Sequence, residues 1–108
     1  EITKNGGIAI CAPIAPYQED RQANRRLINE FGGYIEIFVD TPLEKCEARD
    51  VKGLYAKARK GIIKDFTGIS DPYEQPEHSE IVVNSSDISS EKIVDKIYTK
   101  IRKLGYLY

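Results

Sequence analysis

The sequence predicts an α/β layer, with a parallel sheet of about three strands and about four helices packed on it. Three observations carry this. Short apolar runs at residues 7–12, 34–39 and 81–84 alternate with stretches of helical periodicity, in the order strand, helix, strand, helices, strand, helix. Strands separated by helices pair in parallel through right-handed crossovers. The first run, and the third up to Val83, are continuously apolar rather than alternating, as suits parallel strands covered on both faces. Three strands make a thin sheet, so the pattern reads as half of a doubly wound domain whose first strands lie upstream. The 108 residues contain no Met and begin at Glu1, which points the same way: the chain is expected to be a piece of a longer polypeptide.

Residues 7–12, GIAICA, lie between Gly6-Gly7 and Pro13 and read as a central buried strand. Pro13 and Pro16 lack the N–H a ladder needs, so the chain turns out at the strand's C-terminal edge. From Gln18 to Phe31 the apolar Ala23, Leu27, Ile28 and Phe31 share one helical face, while Arg21 and Arg25 read as its solvated side, paired with neighbouring acids. Gly32-Gly33 ends that helix, and 34–39, YIEIFV, is a second strand with Ile35, Phe38 and Val39 in the core. Thr41-Pro42-Leu43-Glu44 combines a capping hydroxyl, a first-turn proline and an acid, which predicts a helix running to about Arg49. Leu54 to Lys60 is a short helix stopped by Gly61. Residues 70–79, with Pro72 and Pro76, form a surface loop, and 81–84 form the third strand. Ser89 or Ser90 caps the last helix, whose stripe of Ile93, Val94, Ile97, Tyr98, Ile101 and Leu104 is expected in the core.

Composition removes several classes of function. There is no apolar run near 18 residues and no signal-peptide pattern, so membrane insertion and secretion are not expected, and a cytoplasmic location is. A net charge of −1 offers no broad footprint for nucleic acid. Cys11 and Cys46 lack C-x-x-C spacing and are expected to be buried free thiols rather than a disulfide or metal pair. His78, the single histidine, has no carboxylate or cysteine at ligand spacing and reads as a solvated side chain.

Positive charge is concentrated in one place. Between Arg49 and Lys64 stand six cations and one acid, Asp50, followed directly by Phe66-Thr67-Gly68. Cationic heads beside an aromatic plate and a backbone open to close approach suit a nucleotide, with charge for phosphate and a ring for the base. On composition alone, a solvated basic helix followed by a loop whose Phe fills the core is the favoured account of the stretch.

The strings FVDTPLEKCEARDVKGLYAKARKGIIKDFTGISDPYEQPE (38–77) and ICAPIAPYQEDR (10–21) resemble adenylylsulfate kinase. The resemblance covers nearly the whole chain. It implies a P-loop kinase-like three-layer fold, represented here by its C-terminal half, with residues 1–108 as part of the kinase domain and a lid over about 49–74. It also implies transfer of the ATP γ-phosphate to the 3′-hydroxyl of adenosine 5′-phosphosulfate, a step in sulfate assimilation. Ile14 and Ala15 then occupy the loop that touches adenylylsulfate, Lys52 is the lid lysine, and Asp65 and Phe66 supply the loop whose ring stacks on adenine. Arg49, Arg59 and Lys64 would be lid cations near phosphate or sulfate, and Ile88 would approach the ATP base. ATP and Mg²⁺ are the implied cofactors, a homodimer the implied assembly, and CAPIAPY is similar to kinases fused to ATP sulfurylase.

Two departures qualify the resemblance. Where many members carry a phosphorylatable Ser, this chain has Ala15, so no covalent phosphoserine route runs through that position and no catalytic residue is assigned. No G-x-x-x-x-G-K-[ST] occurs in the 108 residues, so the ligands of Mg²⁺ and of the β/γ-phosphates are expected from the upstream part, and the chain alone is expected to be inactive. A non-catalytic nucleotide-binding or assembly module, or another small-molecule P-loop kinase, are the competing readings.

Overall fold

In the computed structural model, which describes residues 1–107, a 3-10 turn at Thr3–Asn5 precedes α1 (Gln18–Asn29), β1 (Ile37–Val39), α2 (Leu43–Arg49), α3 (Leu54–Arg59), β2 (Ile81–Val83) and α4 (Ser90–Lys103). The strands pair in parallel, Ile37 opposite Ile81, Phe38 opposite Val82 and Val39 opposite Val83. The α/β class, the parallel sheet and the four helices agree with the sequence.

The sheet itself is smaller than expected, with two strands among the described residues instead of three. Residues 7–12 form no ladder; Ile8 is 74% and Ile10 94% exposed. A strand exists only where a neighbour takes its N–H and C=O groups, and none of the described residues does so here. The second strand is also shorter than 34–39. Just before it, the Glu36 N–H donates to the Glu80 carboxylate at 2.7 Å.

Phe38, Ile81, Val83 and Ala58 form the buried apolar core. Val39, expected in that core, is exposed. It shares a sheet face with Val83, its register partner, but α4 packs on β2 rather than on β1. The same geometry corrects the reading of α4. Ser89 Oγ accepts the Lys92 N–H at 3.3 Å, the expected cap, but only Ile93, Ile97 and Ile101 are half-buried, and Val94, Tyr98 and Leu104 face solvent. An apolar arc that wide needs more than one strand to cover it.

Helix α1 turns opposite to expectation. Arg21 is its one buried residue, at 5% exposure, and Arg25 is half-buried, whereas of the expected apolar face only Ile28 is half-buried and Ala23, Leu27 and Phe31 are exposed. Helix α2 begins at Leu43, within a residue of the predicted start, yet Thr41 does not cap it. The Thr41 hydroxyl instead bonds Ser85 Oγ at 2.6 Å, tying the end of β1 to the end of β2. Cys11 is exposed and Cys46 partly buried, so the expectation of two buried thiols fails at Cys11.

The uncovered faces add up. The chain exposes 8341 Å², against roughly 6,100 Å² for a typical folded monomer of its 12.2 kDa mass.

Candidate functional site

Two loops carry the residues that the resemblance assigns to substrate. The first is 13–17, between the uncovered segment and α1. Ala15 there adopts φ +42°, a left-handed conformation that an L residue with a Cβ rarely holds. Its carbonyl accepts a hydrogen bond from Arg21 Nη1 at 2.6 Å. Ile14, beside it, is 68% exposed and free for contact.

The second follows the basic stretch at 49–64. Asp50, after α2, accepts the N–H groups of Tyr55 and Ala56, both at 3.0 Å. The carboxylate therefore caps α3 across the Val51-Lys52-Gly53 turn, and Gly53 at φ +66° lets the chain make that turn. Lys52 is held at its crest, exposed. Beyond α3, the Phe66 carbonyl receives N–H groups from Ile69, Ser70 and Asp71 at 3.1, 2.9 and 3.0 Å, and the Phe66 N–H donates to Ser70 Oγ at 2.6 Å. Gly68 sits at φ +86°, and a Cβ there would come within 3.3 Å of Leu43, so both backbone angle and space call for glycine. Asp65 holds φ +53°. Among the described residues, Ala15 and Asp65 are the non-glycine residues whose φ falls in the left-handed region, Asp50 at φ +16° lying just outside it, and each of the two lies in one of the two predicted substrate loops. Such strain costs about 1–3 kcal/mol per residue and collects where a ligand dictates the backbone.

Phe66 is half-buried, its ring edge-to-face with Tyr55 at 5.1 Å between centroids and 72° between planes. The ring is braced from α3 by Tyr55. Burial pushes the Tyr55 phenol up, helped by the neighbouring Cys46, Asp50 and Glu47, so it stays neutral and serves as a wall.

The lid cations divide into two kinds. Arg49 donates to the carbonyl and hydroxyl of Ser85, at the end of β2, which brings it to the loop that carries half-buried Ile88. Arg59 forks onto Glu47 of α2, at 2.7 Å for its shorter bond, which raises the guanidinium pKa and lowers that of the carboxyl. Lys52 and Lys64 are exposed and make no ion pair among the described residues. The same holds for Lys57 and Lys60, so all four lysines of the stretch are open to an incoming anion. His78 is exposed, as expected.

The sequence reading put Arg21 and Arg25 on a solvated face and missed that they turn inward onto Glu36 and Glu80. The parallel register sets Glu36 and Glu80, the residues just before β1 and β2, side by side. Arg25 forks onto Glu80 at 2.9 and 3.0 Å, and Arg21 Nε lies 3.9 Å from Glu36. Burial pushes the Glu80 carboxyl up, but the Arg25 fork, the Glu36 N–H and the charge of Arg25 outweigh it and hold the carboxyl below its usual range. Tyr73 stacks on Phe38 at 6.2 Å and lies 5.7 Å from the Arg21 guanidinium. An acid before each strand facing two arginines one turn apart was the available signal.

Comparison with known proteins agrees with this architecture. The chain is 48% identical over 106 residues to an adenylyl-sulfate kinase of Synechococcus sp. (strain JA-3-3Ab), covering 98% of this chain and 58% of that protein. It is 47% identical over 107 residues to a sulfate adenylyltransferase of Aspergillus terreus, of which it spans 19%. The fold superposes on the Mycobacterium tuberculosis APS kinase CysC, solved in complex with AMPPNP and APS, with a TM-score of 0.86 and 36% identity over 91% of this chain and 57% of that one. The chain thus spans a little over half the length of its kinase relatives. The Adenylylsulphate kinase family pattern matches residues 1–84, and the chain belongs to that family.

Proposed function

We propose that the chain is the C-terminal part of an adenylylsulfate kinase domain, carrying the lid and one wall of the site at which the ATP γ-phosphate passes to the 3′-hydroxyl of adenosine 5′-phosphosulfate. The observation that carries this reading is the coincidence of the two strained backbones, Ala15 and Asp65, with the two loops assigned to substrate. The relative solved with APS and an ATP analogue has the same fold at 36% identity, which supports it.

On this reading, Phe66 stacks on the adenine, Ile14 and Ala15 line the opposite loop, and Asp65 contacts the substrate from the lid. Lys52 and Lys64 neutralise sulfate or phosphate oxygens as the lid closes. Arg49 and Ile88 serve the ATP side, and Arg59 swings from Glu47 to the anion or remains a brace of the lid. Phosphoryl transfer asks the protein mainly for positioning and charge neutralisation, and a cationic lid that excludes water supplies both.

Mg²⁺ at a phosphoryl-transfer site is held by few protein ligands besides the phosphates, and among the described residues no three carboxylate, histidine or cysteine side chains converge. Coordination of the ion and the phosphate-binding loop belong, in this proposal, to the upstream part of the polypeptide. That part also covers residues 7–12. A homodimer, a fusion to ATP sulfurylase and a cytoplasmic location complete the proposal. The sulfate adenylyltransferase relative supports the fusion, and no helix of the described residues is long and apolar enough to cross a membrane.

Calorimetry of the full-length polypeptide with adenylylsulfate tests the reading. Phe66→Ala is expected to weaken binding by about 1–3 kcal/mol, the range for loss of one aromatic platform under a base, with little change in thermal stability. Wild-type affinity retained by the variant, or equal turnover of unrelated nucleoside acceptors by the wild type, would remove the assignment.

A further inference from the structure

The two substrate loops are far apart in sequence, and one buried cation joins them. Arg21 Nη1 donates to the Ala15 carbonyl and Nη2 to the Glu74 carbonyl, both at 2.6 Å, with a further bond from Nη2 to Gln18 Oε1 at 2.7 Å. The Glu74 N–H returns to the Pro16 carbonyl at 2.8 Å. Tyr73 stacks beneath the guanidinium and on Phe38. From Glu74, three residues lead back to Asp71, whose N–H is bound by the Phe66 carbonyl and whose own carbonyl accepts the Gly68 N–H at 2.7 Å. A continuous path of backbone bonds thus runs from Ala15 through Arg21 to the turn that holds Phe66.

We infer that Arg21 is a positioning residue for adenylylsulfate: it holds the Ala15 loop and the exit of the lid in fixed register, so that the two walls of the substrate site stay matched. This rests on the kinase reading above. Three features favour a positioning role over a purely structural one. Two of the three bonds from the guanidinium's amino groups go to backbone carbonyls of connecting segments rather than to the sheet. The Ala15 backbone that it grips is strained, and a carbonyl turned by φ +42° needs a fixed donor to stay there. Its contact with Glu36 is long, at 3.9 Å, and both Nε and Glu36 Oε2 lack a hydrogen-bond partner, so the ion pair is the weaker part of what holds it. Arginine suits this task because its planar fork reaches two carbonyls at once, which a lysine ammonium on a flexible stem does not reproduce.

The test is steady-state kinetics of the full-length polypeptide carrying Arg21→Lys, and separately the milder Gln18→Met, which leaves the charge and removes one acceptor. Arg21→Lys is expected to raise the KM for adenylylsulfate tenfold or more while the KM for ATP stays within twofold. Gln18→Met should raise the same KM two- to threefold and leave folding intact. Hydrogen exchange should quicken at the Glu74 and Asp71 amides in both variants and stay unchanged at Ile81. If the wild type turns over adenylylsulfate but both KM values rise together, or neither moves in Gln18→Met, the positioning role is wrong and the kinase reading stands. If the wild type shows no turnover of adenylylsulfate, the kinase reading falls and this inference falls with it.

Discussion

Residues 7–12 and the start of α1 are neighbours in the chain and are built on opposite rules. The first is apolar and exposed, with Ile10 at 94%; the second buries a guanidinium at 5%. Hydropathy alone would place them the other way round. The difference lies in partners. Arg21 has two carbonyls, an amide oxygen, an acid and an aromatic face around it, enough to offset desolvation of a charge. The isoleucines have no surface to meet among the described residues, so their apolar character has nothing to act on. Burial follows the available neighbour, and hydropathy only states which neighbour is wanted.

Four substitutions break or sharpen that contrast. The largest effect is expected at the floor of the Arg21 cluster. Phe38→Ala, which removes the ring under Tyr73, should destabilise the chain by about 3–5 kcal/mol, measured by urea unfolding, and should loosen the Arg21 cluster with it. Next is the paired acid. Glu80→Gln should cost about 2 kcal/mol, the scale of charge-assisted hydrogen bonds. The sign with pH is fixed by the depressed carboxyl: its contribution is fully present above the ordinary carboxylate range and is lost as pH falls through that range to the lower folded value. The acid side of a melting-temperature profile should therefore be flatter in the variant, and an unchanged acid limb would show that the Arg25 fork carries no such linkage.

A smaller effect is expected at the lid. Asp50→Ala removes the cap of α3 and should cost about 1 kcal/mol, seen as faster exchange at the Tyr55 and Ala56 amides with the sheet amides unmoved. The smallest is at the exposed segment. Ile10→Ser should change the stability of this chain by less than about 0.5 kcal/mol, while the same change in the full-length polypeptide should cost several-fold more. A large loss in this chain would mean that 7–12 already finds cover here.

Several features were legible from local pattern. The positions of α2, α3 and α4, the strand at 81–83, the stop at Gly61 and the Ser89 cap all depend on propensity and capping within a few residues. The basic stretch at 49–64 was legible as well, because its cations and the Phe66-Thr67-Gly68 turn are contiguous. What was illegible depends on distant neighbours. Thr41 was given to α2 as a cap and went to Ser85, because a hydroxyl between two possible acceptors follows the one tertiary packing brings to 2.6 Å. The stripe of α4 was assigned to the core in full, though it meets a single strand and half of it faces water.

By itself, then, the sequence determined the α/β class, the family, and the basic stretch with Phe66 just beyond it, because each is written in short contiguous strings whose physics is local. Only the tertiary structure decided which way α1 faces, that Arg21 lies inside and grips Ala15 and Glu74, and that 7–12 stands unpaired. Those outcomes turn on whether a hydrogen-bond or packing partner from a distant stretch of chain is present at the right distance, and no local pattern carries that information.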